Sequence, residues 1–191
     1  MSKNLPGFIF LLVGNSGSGK DSIISGVMSK YPSSLKKLLS PKRYITRPPS
    51  EFEDNVSLTQ DEFKDMLKKG SFALEWNIYD LNYGIPVEIE EWLKNGHPVI
   101  INVSRIIIEK AKSKYKNIKV IFIEVPLNIT IKRLKDRKRE TEKLLKDRID
   151  RARRNQKFPK ADFTVDNSGD LDSAINQCLN YLESVIKTTT K

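Results

Sequence analysis

The apolar positions of the chain fall into two kinds of run, and together they set out an alternating α/β order. Phe8–Val13, Pro98–Val103 and Ile118–Val125 are continuous apolar stretches rich in strand formers, the pattern of strands covered on both faces in a parallel sheet. Ile23, Ile24, Val27 and Met28 instead recur at helical spacing soon after the first of these. The stretch Ile106–Tyr115 between the other two can serve as the crossover helix. A further short strand, Phe163–Val165, precedes Asp166-Asn167-Ser168-Gly169, and a last helix is expected from about Asp170 to Ile186. On that helix Cys178 shares a face with Ala174, Ile175, Leu179 and Leu182, which predicts a buried thiol and not a reactive one. The Lys/Thr tail beyond it is expected to fray.

Between the first helix and about residue 88 the pattern is shorter and mixed. Lys42–Arg47 alternates charge with β-formers and ends in Pro48-Pro49, as a short strand feeding basic side chains into a loop would. Thr59 with Glu62 three residues on is a capping-box start; Phe63, Met66 and Leu67 share a face, and Gly70 is the stop. Phe72–Trp76 and Leu81–Ile85 read as small strands. Pro86 suits the first turn of a helix bearing Ile89, Trp92 and Leu93, closed by Asn95-Gly96. His97, the sole histidine, follows at once and reads as a turn residue, not a base.

Composition narrows the class. At 191 residues the chain fits one domain, and 38% hydrophobic with 30% charged residues describes a folded protein, not a disordered one. A single cysteine excludes an internal disulfide and a cysteine metal cluster. No stretch approaches the roughly 20 apolar residues of a membrane span, and Phe8–Val13 is too short for a secretion signal, so the expected location is cytoplasmic with no membrane partner. The net charge of +10 suits a nucleic acid or a small, highly anionic substrate. Aromatic residues are not interleaved with the basic runs as a single-strand platform needs, which favours phosphorylated metabolites and no nucleic acid. A homodimer is compatible with the sequence.

The chemistry concentrates after the first strand, in Gly14-Asn15-Ser16-Gly17-Ser18-Gly19-Lys20-Asp21-Ser22. Glycines at 14, 17 and 19 let the backbone turn its N–H groups inward onto phosphate oxygens. Lys20 adds a point charge, and the helix starting there adds its positive dipole end. The string fits G-x-x-x-x-G-K, but Asp21 stands where Ser or Thr is usual. A carboxylate beside a triphosphate is repelled unless a cation lies between, so Asp21 is a candidate Mg²⁺ contact, direct or through water. The plainer role is a first-turn acid on the helix dipole. Ser22 cannot simply take over the missing hydroxyl, because one residue rotates a helical side chain by about 100°. Farther on, Arg133, Arg137, Arg139, Arg148, Arg151, Arg153 and Arg154 lie on two helical segments joined near Lys138. Such a run can be a solvated face. Arg133 and Arg137, however, share a face one turn apart, and guanidinium forks match phosphate oxygens.

In order, the phosphate loop, Thr46-Arg47, Asp61-Glu62-Phe63, Tyr83-Gly84 and the run from Arg133-Leu134 to Arg148 resemble the guanylate-kinase-like branch of the P-loop kinases over nearly the whole chain. The resemblance implies an α/β, three-layer P-loop NTPase fold in a single kinase domain: a parallel sheet core (residues 1–40, 89–133 and 151–191), an acceptor-binding subdomain (41–88) and a helical lid (134–150). Within that branch, Gly17–Ser22, Arg43–Arg47, Tyr83-Gly84 and Asn102-Val103-Ser104-Arg105 are similar to the ribose 1,5-bisphosphate phosphokinases of phosphonate degradation. These move the γ-phosphoryl of ATP onto the 1-phosphate of ribose 1,5-bisphosphate, giving 5-phosphoribosyl 1-diphosphate (PRPP).

The resemblance implies ATP and Mg²⁺ as cofactors and a small phosphorylated sugar as substrate. It implies Lys20, Arg137 and Arg148 in catalysis, and Gly14 through Ser22 with Arg133 and Asn167 on the nucleotide; Arg139 is a further lid candidate. For the acceptor it implies Arg43, Thr46, Arg47, Glu75, Tyr83, Gly84, Asn102, Ser104 and Arg105. Guanylate kinases keep base-reading groups where this chain has Ser50, Asn55, Asn102 and Ser104, and an acceptor without a purine has no use for them. Arg43 and Arg105 supply extra cations for its second phosphate. Glu75 stands at the position of a guanine-reading carboxylate and is expected here to accept from ribose hydroxyls. A guanylate kinase or other nucleoside monophosphate kinase is the rival enzyme, and a non-catalytic guanylate-kinase-like binding module the rival from another class.

Overall fold

The computed structural model describes residues 2–49, 54–136 and 141–189. Its strands form two four-stranded sheets, one in the order β6 (Val99–Asn102), β1 (Ile9–Gly14), β7 (Ile118–Glu124), β8 (Phe163–Asp166) and the other in the order β3 (Asn55–Ser57), β2 (Arg43–Ile45), β5 (Leu81–Pro86), β4 (Phe72–Ile78). The chain divides into two compact units, Met1–Phe10 with Ser33–Ile118, and Leu11–Pro32 with Lys119–Lys191, so that β1 (Ile9–Gly14) contributes to both.

In the second unit, Leu11, Leu12 and Val13 are completely buried, as a continuous apolar run requires. They lead through the glycine loop into α1 (Lys20–Lys30), which buries Ile23 and Val27. β7 (Ile118–Glu124) and β8 (Phe163–Asp166) pair in parallel from Ile121 opposite Phe163 to Glu124 opposite Asp166. A parallel return needs a long crossover, and α5 (Leu127–Asp136) and α6 (Glu142–Arg154) lie between them in sequence. α7 (Leu171–Thr189) packs on α1: Ile175 lies against Gly26, where any Cβ would collide with it, and Lys30 Nζ reaches Asp172 Oδ1 at 2.5 Å and Asn176 Oδ1 at 3.1 Å. Cys178 is fully buried with Ala174, Ile175, Leu179 and Leu182, and desolvation pushes its thiol up to about 12, so it is inert at neutral pH.

The first unit is built on β2 (Arg43–Ile45), which pairs in parallel with β3 (Asn55–Ser57) and antiparallel with β5 (Leu81–Pro86). β4 (Phe72–Ile78) and β5 form a hairpin whose two loop residues, Tyr79 and Asp80, take φ of 54° and 58°. That left-handed pair is what a two-residue turn matching strand twist demands. α2 (Gln60–Lys68) starts on the expected capping box: Thr59 Oγ1 accepts from the Glu62 N–H, and the Glu62 carboxylate accepts from the Thr59 N–H. α3 (Ile89–Lys94), β6 (Val99–Asn102), a 3-10 turn (Arg105–Ile107) and α4 (Ile108–Lys114) complete the unit.

Three expectations change. Pro86 ends β5 opposite Phe72 and does not open a helix; α3 starts only at Ile89. Its fixed φ serves a strand end equally well. The crossover helix begins as a 3-10 turn at Arg105. β3 has no counterpart in the sequence reading, because its three residues, Asn55-Val56-Ser57, carry no apolar pattern and owe their extended form to β2.

Candidate active site

Two groups of the expected residues assemble, one in each unit. In the second unit the strand-to-helix loop has the geometry of a phosphate cradle. Gly17 and Gly19 sit at φ +84° and +85°, a region closed to side chains at low cost. A Cβ on Gly14 would stand 2.7 Å from Ser18 Oγ, so glycine there lets the loop close on itself. Ser18 N–H donates to the Asn15 carbonyl at 3.1 Å, and the Ile23 N–H donates to Gly19 O at 3.0 Å as α1 begins. Among the described residues no side chain caps α1, and Asp21 and Ser22 are exposed in its first turn.

Lys20 folds back over this cradle. Its ammonium donates to Gly14 O (3.1 Å), Asn15 O (3.0 Å) and Ser18 Oγ (3.2 Å). Asn167 braces the loop from behind, donating from Nδ2 to Ser18 O at 2.8 Å, while Arg133 Nη2 donates to Asn167 O at 3.3 Å. Asn167 is 2% exposed, and its Oδ1 is buried with no hydrogen-bond partner among the described residues, an acceptor left over for a donor. Arg148 reaches the loop from α6: it is buried, and Nη1 donates to Ser16 Oγ at 2.9 Å. Asn15 Nδ2 donates to the carbonyls of Asn155 (3.1 Å) and Ala152 (3.4 Å) at the end of the same helix. Arg137 and Arg139, expected in the lid, lie outside the described residues.

The donor set also suits a nucleotide-borne metal. Among the described residues no group of three or more His, Cys, Asp or Glu side chains could hold a cation alone. Mg²⁺ is commonly bound by one or two carboxylates together with substrate phosphates and waters. A cradle of backbone N–H groups with one exposed carboxylate, Asp21, in the adjoining helical turn fits that mode.

In the first unit, β2 delivers the basic residues. Arg43 Nε donates to Asn55 Oδ1 at 3.2 Å, and Nη1 to the Asn102 carbonyl at 3.5 Å, which draws together residues from β2, β3 and β6. Thr46 is buried, and its Oγ1 accepts from the Asn82 N–H at 2.8 Å and from Gln60 Nε2 at 3.4 Å. A hydroxyl has two acceptor sites and one donor, so both acceptor sites serve to fasten the hairpin and α2. Asn82 Nδ2 closes the net on Gln60 Oε1 at 2.6 Å. Arg47 follows, half-buried.

Glu75, Gly84 and Tyr44 lie opposite one another across β4, β5 and β2. A Cβ on Gly84 would sit 2.5 Å from the Phe72 ring, so only glycine admits that aromatic beneath the strand. Tyr83 stacks on Trp76 with ring centroids 5.2 Å apart and planes 2° from parallel. Ser104 precedes the 3-10 turn and Arg105 opens it, both half-buried. Ser50 lies outside the described residues.

Glu75 is ion-paired with Lys110 of α4, and Lys114, one turn on, donates to the Ala73 carbonyl at 2.8 Å. The sequence reading missed Lys110, Gln60 and Asn82. No local signal marks them, although Lys110 and Lys114 at i and i+4 on the helix facing β4 are the one trace it could have used.

A guanylate kinase family model matches residues 8–185. The chain is 30% identical to the ribose 1,5-bisphosphate phosphokinase PhnN of Bradyrhizobium diazoefficiens, over 94% of this chain and 89% of that protein. It is 36% identical to the ribose 1,5-bisphosphate phosphokinase PhnN of Pectobacterium parmentieri, over 88% and 89%. Among solved structures, a guanylate kinase from Anaplasma phagocytophilum superposes with a TM-score of 0.67 at 16% identity, covering 97% of this chain and 89% of that one. A sugar kinase from Janibacter superposes at 0.53 and 17%, covering 93% and 95%. Among the described residues no helix is long and apolar enough to cross a membrane.

Proposed function

Because the chain belongs to the guanylate kinase family, and within it to the ribose 1,5-bisphosphate phosphokinases, we propose that it transfers the γ-phosphoryl group of ATP to the 1-phosphate of ribose 1,5-bisphosphate, giving PRPP and ADP. The observation that carries the choice of acceptor is the Lys110–Glu75 pair. Glu75 is the sole acidic side chain among the proposed acceptor residues, and a lysine pairs with it, so with Arg43, Arg47 and Arg105 the proposed set carries a net positive formal charge and a positive field. That field suits an acceptor carrying two phosphates. A carboxylate engaged by an ammonium is poorly placed to read the N–H edge of a purine.

The step needs no base. An oxygen of the acceptor 1-phosphate, already ionised, attacks Pγ; the bond from Pγ to the β,γ-bridging oxygen breaks, and ADP leaves with the electron pair. Catalysis then rests on in-line positioning and on cancelling charge. The loop N–H groups and Lys20 hold the β- and γ-phosphates, Arg148 meets the charge gathering on the transferred group, and Arg133 and Asn167 bind toward the nucleoside. The Asn167 Oδ1 acceptor suits an exocyclic amine of the base. Asp21, together with the substrate phosphates, would hold Mg²⁺, which would supply Lewis-acid neutralisation of phosphate charge. Residues 41–88 are the acceptor-binding part and 134–150 the lid. An ATP donor suits a cytoplasmic activity.

The test is a coupled assay offering ribose 1,5-bisphosphate and GMP as competing acceptors. Preferential consumption of the bisphosphate with stoichiometric PRPP is the expected result; ready use of GMP with the sugar ignored overturns the reading. Lys20→Ala should abolish turnover and leave the unfolding transition nearly unchanged.

A further inference from the structure

We infer that Asn15 is a positioning residue for phosphoryl transfer: its side-chain amide ties the phosphate loop to the C-terminal end of α6 and so fixes where the Arg148 guanidinium stands. The inference rests on the proposed role of Arg148 in the transfer and adds the device that aims it.

In α6 the apolar residues Leu144, Leu145 and Ile149 are half-buried. Of its residues only Arg148 and Ala152 are buried. They are four apart and therefore share one face. Consecutive loop residues grip that face at two points. Ser16 Oγ accepts from Arg148 Nη1 at 2.9 Å, and one turn on Asn15 Nδ2 donates to Ala152 O at 3.4 Å and to Asn155 O at 3.1 Å. Carbonyls of a helix's last turn lack intrahelical donors and take partners from elsewhere. Here the Ala152 carbonyl accepts from the Asn155 N–H at 3.2 Å, and Asn15, 137 to 140 positions earlier in sequence, adds a donor for it and for the Asn155 carbonyl. Two attachments a turn apart constrain both the rotation of the helix and its height against the loop.

The choice of residue follows. Phosphate binding asks only for the backbone N–H at position 15, and any residue supplies that. Reaching two carbonyls asks for a short side chain with an N–H donor, which Asn has. An amide that merely capped α6 would affect stability and leave the kinetics alone. A positioning amide makes the arginine's contribution depend on it, because misplacement of a charge-stabilising group by about 1 Å can cost about 100-fold in rate.

The experiment is a double-variant cycle on the full chain, with steady-state kinetics for ATP and whichever acceptor the competition assay identifies. Asn15→Ala should lower kcat about 10- to 100-fold while changing KM for ATP less than about threefold, since the backbone cradle remains. Asn15→Gln, which keeps an amide donor, should recover most of the loss. Combined with Arg148→Ala, Asn15→Ala should add no further loss of kcat beyond about twofold, because there is no longer a guanidinium to aim. Independent, multiplicative losses, or a normal kcat for Asn15→Ala beside an impaired Arg148→Ala, overturn the inference alone. A normal kcat for Arg148→Ala overturns the role of Arg148 and the inference with it. If Asn15→Ala does not fold, Asn15→Ser, too short to reach both carbonyls, replaces it with the same expected outcomes.

Discussion

Gly17 and Gly19 provide a controlled comparison, since they share a backbone conformation and differ in what surrounds them. At φ of +84° and +85°, an alanine at either site carries the left-handed penalty of about 1–2 kcal/mol. For Gly17 that is nearly the whole cost: its Cβ would meet Leu134 Cγ at 3.4 Å and Thr130 O at 3.5 Å, ordinary contact. At Gly19 the Cβ would lie 2.6 Å from Asn167 Nδ2, the atom that donates to Ser18 O at 2.8 Å. The amide must yield, leaving a buried carbonyl and a buried N–H unpaired for about 1–3 kcal/mol more. Gly19→Ala should therefore cost about 2–5 kcal/mol against about 1–2 for Gly17→Ala. At about 2–4 °C per kcal/mol for a chain of this size, the two transitions should lie about 2–12 °C apart. Thermal unfolding without nucleotide reads the gap. In an Asn167→Ala background the gap should close, since the obstructing amide is gone. Equal transitions for the two variants, or a gap that persists without Asn167, would refute the reasoning.

Three further outcomes follow from other parts of the molecule. Lys110→Ala should shift stability by no more than about 1 kcal/mol, because the Lys110 and Glu75 side chains are 49% and 29% exposed; yet it should raise KM for the bisphosphorylated sugar and increase GMP turnover, and unchanged selectivity would remove Lys110 from the acceptor argument. Burial disfavours the Glu90 carboxylate, but hydrogen bonds from Lys3 (2.5 Å) and Tyr115 (2.7 Å) and the nearby charges of Lys3 and Lys114 hold its pKa below the usual carboxylate value. A depressed folded pKa gives stability that is present above the unfolded value and lost as pH falls through the folded one. Glu90→Gln should therefore flatten the acid limb of the stability–pH curve measured by denaturant unfolding between roughly pH 5 and 3. Asp80→Gly relieves a non-glycine residue at φ 58° in the β4–β5 turn and should raise stability by about 0.5–1 kcal/mol in the same assay.

The residues that were legible in the sequence and those that were not divide along a physical line. Phosphate binding uses backbone N–H groups, and what backbone needs is written locally: glycines at fixed offsets, a buried strand before them and a helix after. The same holds for the capping box at Thr59 and the buried face around Cys178, each complete within a few residues. The proposed acceptor residues are side chains from separate elements, and their partners are remote. Arg43 meets a carbonyl 59 residues away, Glu75 a lysine 35 away, and Thr46 a hairpin N–H 36 away. No period or spacing encodes such pairs. Asn102 illustrates the consequence. The family resemblance points to Asn102 at the acceptor, and the structure engages its main-chain carbonyl with Arg43, a group that any residue there could offer. Asn15 is the converse case. It sits inside the most readable motif of the chain, where position alone explains it as one more loop residue, and its amide acts on a helix that the motif does not mention. A phosphate loop can therefore be recognised from its glycines and lysine, but what distinguishes one such kinase from another must be sought in the variable positions between them and in what those side chains reach.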